Sequence, residues 1–287
     1  MLKFYNAYKS LREKENEKGL HKEIGSVIEK DYFHYIEQIS KGPVDINDEE
    51  LYLKFKLDDY KEWSAKLKSC MKKYKKQKSV KYNFCIDFEM DKINVTPWEL
   101  SIGLTMSFFG KLFCIDRIPM WILNYGRCYQ NNEYQDIVGE FVDAFPAIVE
   151  INKDNPKSMS DYISELTYFI QNHNVSFAAL AFSNIKRRYK KMDSFIKGQI
   201  FSQFVIFNFQ GSFDEDELRY DYLNYNASLD KDMKKINKIN VNASYSKKSL
   251  NLAITLPFEL DNRVEMEKFL VNEAKVLLSS DYIALYK

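Results

Sequence analysis

The 287-residue chain is poor in the residues that punctuate or crosslink a polypeptide: nine glycines, six prolines, four cysteines and three histidines. So little Gly and Pro excludes collagen-like, Pro-rich and low-complexity chains. Cys70, Cys85, Cys114 and Cys128 stand far apart with no C-x-x-C spacing, and His21, His34 and His173 are too scattered to complete a metal site with them. No metal site is expected, and the cysteines read as reduced, buried thiols of a cytosolic protein. No apolar run approaches the ~20 residues that cross a bilayer. The opening Met1-Leu2-Lys3-Phe4-Tyr5 begins a polar amphipathic segment and not a signal peptide, so a cytoplasmic location is expected. Charge of one sign is missing too: 42 Lys and Arg face 41 Asp and Glu, net +1, which gives no global field toward nucleic acid or an anionic membrane. A Gly-rich phosphate loop, a G-x-S-x-G elbow and H-E-x-x-H are all absent, and nucleotide, serine-hydrolase and zinc chemistries lose support accordingly.

What is present is the material of a core. Hydrophobic residues make up 45% and aromatics 15%, in a length that suits two modest domains or one large one. The first eighty residues read as helices. From Asp59 to Tyr74 the apolar positions Tyr60, Trp63, Leu67, Cys70, Met71 and Tyr74 recur at three- and four-residue steps, one stripe of an amphipathic helix. A basic run over Lys72, Lys73, Lys75, Lys76 and Lys78 then marks an internal boundary near residues 71–80.

Beyond it the period changes to two. Tyr82, Phe84, Ile86 and Phe88 alternate with Asn83, Cys85 and Asp87 as a half-exposed strand. Thr96-Pro97-Trp98-Glu99 is a helix start with a capping box and Pro at the first helical position, and the helix should run to about Leu112. Met120–Asn124 and Ala147–Ile151 read as strands, and Ser160–His173 and Val175–Lys191 as two helices. Phe201–Phe209 reads as a strand buried on both faces. Asn240–Tyr245 and Leu250–Phe258 alternate as a hairpin around Ser246-Lys247-Lys248-Ser249, after which Asp261 is positioned to cap a helix turning Val264, Phe269, Leu270, Leu277 and Leu278 inward. The expected class is mixed α/β (α+β), a layered mixed sheet covered by helices with a helical N-terminal segment.

Several segments, in order, resemble one family. Leu123-Asn124-Tyr125-Gly126-Arg127 followed by Ile137–Pro146 is similar to a strand ending in Gly-Arg and a later "vGxFvnxxP" stretch. Val205–Asp214 is similar to "FNYLGxFD", Tyr60–Leu67 to an "FxeWaxxL" helix, and Asn240–Leu278 to a closing hairpin and helix. These are segments of the condensation and epimerization domains of nonribosomal peptide synthetases, in their C-terminal part. The resemblance implies a chloramphenicol-acetyltransferase-like lobe over residues 81–287, with residues 1–80 a helical segment bridging to a missing N-terminal lobe.

The departures from the family carry as much information. Its active-site HHxxxDG segment is absent, since no two histidines are adjacent, and Phe4–Lys18 resembles the helix that follows that segment. Aligning Gly126-Arg127 with the family's "EGHGRE" puts Leu123 where an epimerase has a carboxylate, and leucine cannot move a proton. The resemblance therefore implies a half-domain, inactive alone and with no catalytic residue of its own. It would be completed by an HHxxxDG lobe on another polypeptide and a peptidyl carrier protein, in antibiotic biosynthesis or related acyl transfer. No cofactor is bound directly; the group to be held is the phosphopantetheine arm of the carrier.

Candidate contacts to substrate or partner lobe are Arg127, Asp143, Asn208, Gln210 and Ser212. Arg127 would pair with the Asp of HHxxxDG, which if buried needs a counter-charge. Asp143 would lie in a floor loop with Phe145 and Pro146. Asn208, Gln210 and Ser212 alternate out of a strand, where they can hydrogen-bond a pantetheine arm or satisfy nearby backbone groups. Lys72–Lys81 and the cluster Lys186-Arg187-Arg188-Lys190-Lys191 are either carrier-docking patches or solvated faces, and no nucleic-acid motif accompanies them. Two other readings stay open: an autonomous acyltransferase using His34 or His173 as base, and a degenerate carrier-binding module.

Overall fold

The period-two run of the sequence does form a strand, and its inward residues Tyr82, Phe84 and Ile86 begin the core. A computed structural model describes residues 41–43, 45–74, 79–87, 95–125, 142–151, 156–182, 188–200, 205–212 and 239–278. The chain divides into two units: one of Met1–Tyr52, Asn124–Ala144 and Tyr168–Gly198, the other of Leu53–Leu123, Phe145–Thr167 and Gln199–Lys287. The described strands are β1 (Val80–Asp87), β2 (Arg117–Tyr125), β3 (Val142–Glu150), β4 (Val205–Ser212), β5 (Ile239–Tyr245) and β6 (Ser249–Leu256). The helices are α1 (Asp48–Lys54), α2 (Leu57–Met71), α3 (Pro97–Phe113), α4 (Pro156–Asn172), α5 (Phe177–Phe182), α6 (Lys190–Ile200) and α7 (Arg263–Leu278). The strands make one six-stranded sheet in the order β1-β6-β5-β4-β2-β3. It is mixed: β1, β6 and β5 pair antiparallel, while β5, β4 and β2 pair parallel. The protein is thus mixed α/β, as its pattern predicts.

In the larger unit α3 is the central support. Its residues Leu100 to Phe109 are buried on every side, the state expected of a helix apolar all round. It packs on β4, β5 and β6, and α7 lies against both α3 and β1. The capping box read from sequence is present: Glu99 N donates to Thr96 Oγ1 (3.2 Å) and Thr96 N to Glu99 Oε2 (2.6 Å). Buried hydroxyls on this helix are satisfied locally, Ser101 on the Trp98 carbonyl (2.8 Å) and Thr105 on the Ser101 carbonyl (2.7 Å). Ser107 Oγ reaches Glu273 of α7 (3.0 Å), tying the two covering helices together. Aromatic rings fill the layer beneath: Phe84 against Phe108 (5.9 Å), and Trp98 edge-on to Phe207 (5.5 Å) and Phe209 (5.2 Å).

In the smaller unit the expected single helix Val175–Lys191 is replaced by α5 and, after non-helical Arg188 and Tyr189, by α6. The reason is a cap supplied from far away in sequence. The Asp48 carboxylate accepts from the backbone N–H of Lys191 (2.7 Å) and of Met192 (3.1 Å), starting a new helix where the local pattern shows only a basic run. Tyr189 donates to the Ile46 carbonyl (2.9 Å) and Arg188 to the Lys41 carbonyl (2.9 Å), while Lys191 pairs with Glu49.

Other expectations are corrected in the same way. Strand β4 is covered on one face only: Val205 and Phe207 are buried while Ile206 and Asn208 are half-buried, because α3 lies on one side. Asn262 caps α7 in place of Asp261, its Oδ1 accepting from Glu265 N (3.1 Å). The inward face of α7 is Met266, Leu270, Ala274 and Leu277, and Val264 is 61% exposed. Two thiols expected to be buried are exposed. Cys85 lies on the outward parity of edge strand β1, and Cys114 occupies the left-handed C-cap of α3 (φ 53°). Cys70 is intermediate, and Cys128 lies outside the described residues.

Two predictions follow from this packing. Thr96→Ala removes one half of the capping box and should lower unfolding free energy by about 1 kcal/mol in urea denaturation, against about 3–5 kcal/mol for Phe108→Ala. Burial pushes the Tyr162 phenol up to about 12, with Glu165 and Asp59 adding to the effect, and burial holds Tyr60 further above the ordinary value of 10. A phenol whose folded pKa is raised stays protonated while the unfolded chain ionises. Its stabilisation is therefore complete below pH 10 and is lost as pH climbs from 10 toward 12. Denaturation at stepped pH should show that decline, and Tyr162→Phe should lessen it.

Candidate functional site

The covered face of the sheet is apolar and the other is lined with amides. Strand register sets out the second face row by row. One row runs Asn83, Ala253, Asn242, Asn208 across β1, β6, β5 and β4. Its neighbour runs Lys81, Thr255, Asn240, Ile206 and on to Trp121 of β2, and the next runs Cys85, Asn251, Ser244. Exposure is greatest at edge strand β1, where Lys81, Asn83, Cys85 and Asp87 are exposed, and intermediate at Asn251, Asn240, Asn242, Asn208 and Gln210. At the far end of its row Trp121 is buried, its indole near Tyr60 of α2.

Within this face the amides are partly ordered by one another. Asn208 Nδ2 donates to Asn242 Oδ1 (3.1 Å) across the parallel pair β4–β5. That bond fixes which end of each amide points along the strand, as in a cross-strand ladder. The partner of Asn208 is thus a side chain on the next strand as well as any backbone group. Beyond Phe209 the β4–β5 register shifts at a bulge, where Gly211 adopts φ +84°. A bulge re-aims the strand end, and glycine meets its backbone requirement without a Cβ penalty. Ser212, the next residue, is exposed.

The sequence-derived candidates are therefore placed as follows. Asn208 and Gln210 share the amide face, and Ser212 stands past the bulge at the end of the same strand. Asp143 is half-buried at the start of β3, its Oδ1 accepting from Ala144 N (2.8 Å), and belongs to the other unit. Arg127 and His34 lie outside the described residues. His173 follows α4, half-buried, with its ring 4.6 Å from Phe169. Of the basic cluster, Arg188 and Lys191 are engaged within their own unit, a structural use.

Sequence reading missed the other half of the face: Asn83, Asn240, Asn242 and Asn251. The signal was present in Asn240-Val241-Asn242-Ala243-Ser244, where polar residues alternate with the buried Val241 and Ala243. Finding it needed the register, because only pairing shows that the amides of four strands lie side by side.

Chemically the face offers donors and acceptors that hold a charge-neutral, amide-bearing chain. Its central strands bring no imidazole or carboxylate for proton transfer. Among the described residues no group of three or more His, Cys, Asp or Glu could hold a metal ion, and no helix is long and apolar enough to cross a membrane. Gly211→Ala, with open space around the added Cβ, should cost about 1 kcal/mol or more from the positive φ alone, and Gly211→Asn less; chemical denaturation measures both.

No family model matches the chain, and no curated protein matches it. Solved structures do. A protein described as CT is 9% identical, with 88% of this chain covering 55% of that one and a TM-score of 0.49. The epimerization domain from the third module of tyrocidine synthetase B is 9% identical, with coverage of 73% and 50% and a TM-score of 0.42. The first condensation domain of the CDA synthetase is 8% identical, with coverage of 77% and 52% and a TM-score of 0.43. The chain spans about half the length of these structures. The proteins concerned include the epimerization and condensation domains that the sequence motifs resemble.

Proposed function

We propose that this chain acts as the second lobe of a condensation-type domain, without the HHxxxDG segment, holding a carrier-bound acyl or peptidyl substrate while a lobe bearing that segment outside these 287 residues performs proton transfer. The observation that carries the reading is the amide-lined sheet face, which includes Asn208 and Gln210 of the strand segment similar to "FNYLGxFD". A pantetheine arm carries two amides and a peptide more. A row of fixed side-chain amides matches them without a charged group to desolvate. The absent histidine pair and Leu123 in place of a carboxylate agree with a positioning role. The proposed partners are that second lobe and a peptidyl carrier protein, and the phosphopantetheine comes with the carrier. Arg127 and Asp143 remain proposed contacts to the partner lobe.

The test is a mixing titration with a first-lobe protein bearing HHxxxDG and an acyl-loaded carrier. Acyl transfer should appear in the mixture and be absent from either protein alone. Asn242→Leu should lower the rate about tenfold, the loss of a hydrogen bond to a substrate amide, with the unfolding transition little changed. His173→Ala should leave the rate unaltered. Transfer by the chain alone, abolished in His173→Ala, would establish the autonomous enzyme instead. Carrier binding without turnover in any mixture would establish a binding module.

A further inference from the structure

A recess of about 540 Å³ opens in the larger unit between the start of α2, the start of β2, the end of β3 and the first turns of α4. Its volume suits a small molecule. Lys56, Asp59, Arg117, Ile151, Met159 and Tyr162 are among its lining. Arg117 already pairs with Glu150 (3.4 Å). Lys56 and Asp59, by contrast, make no ion pair among the described residues, and both are exposed at the mouth.

Lys56 is held in an unusual way. It sits at φ 48°, ψ 48°, the left-handed region that glycine or asparagine fills most easily, and it begins α2 with no side-chain cap. Its ammonium lies 5.2 Å from the centre of the Tyr162 ring. The ionised lining is two cations and two anions, so a ligand with both charges fits it better than a bare anion.

We propose that this recess binds a small zwitterion with an apolar side chain, a free amino acid or dipeptide, whose carboxylate meets Lys56 and whose ammonium meets Asp59, with its side chain against Ile151 and Met159. Its lining includes none of the Asn or Gln residues of the amide face, and it does not depend on the function proposed for that face.

The probe is the dipeptide Leu-Leu, titrated calorimetrically into the full chain beside N-acetyl-Leu-Leu, which lacks the ammonium, and Leu-Leu amide, which lacks the carboxylate. Leu-Leu should bind saturably and each blocked form about tenfold more weakly. Lys56→Gly, which suits the left-handed backbone, should weaken Leu-Leu about tenfold while leaving the affinity of Leu-Leu amide unchanged. Asp59→Asn should weaken Leu-Leu and spare N-acetyl-Leu-Leu. Equal affinity for all three ligands, no saturable binding, or displacement of Leu-Leu by inorganic phosphate alone would overturn the proposal.

Discussion

The burial of α3 against one face of the sheet is the constraint on which the rest depends. A helix apolar on all sides has only one stable position, between the sheet and the covering helix α7. Once it takes that place, strand parity decides everything on the other side. Phe84, Leu252, Ala243 and Phe209 line up beneath it, and Asn83, Asn242 and Asn208 are turned away. The amide face therefore follows from the core, because a one-residue slip would exchange the two sets.

The same parity sets what the second face offers chemically. Its central strands carry Asn, Gln, Ser and Thr, side chains that hydrogen-bond in fixed directions but do not change protonation state near neutral pH. On the proposed function, imidazoles come from a partner lobe, since this chain has no adjacent histidines. The bulge at Gly211 shifts the β4–β5 register, and pairing resumes at Ser212 and Tyr245.

Much of the fold could be read in advance wherever the information was local. The Thr96–Glu99 capping box, the alternation of Tyr82, Phe84 and Ile86, and the hairpin between β5 and β6 are all written in neighbouring residues, and each is present. What escaped was set by distant contacts. The start of α6 depends on Asp48, well over a hundred residues away, and the exposure of Cys114 depends on a left-handed cap. In the site, Asn208 and Gln210 were visible because they interrupt an apolar strand. Asn83, Asn240, Asn242 and Asn251 join them only through pairing, which alternation within a single strand cannot reveal.

The central claim is that the uncovered sheet face is the surface on which substrate is held. Side-chain amide resonances of Asn208 and Asn242, assigned by substitution and followed while pantetheine is added, measure this directly. Saturable shifts in both, lost in Asn242→Leu, are the outcome expected. Pantetheine that leaves both signals in place while moving those of residues elsewhere would contradict the account.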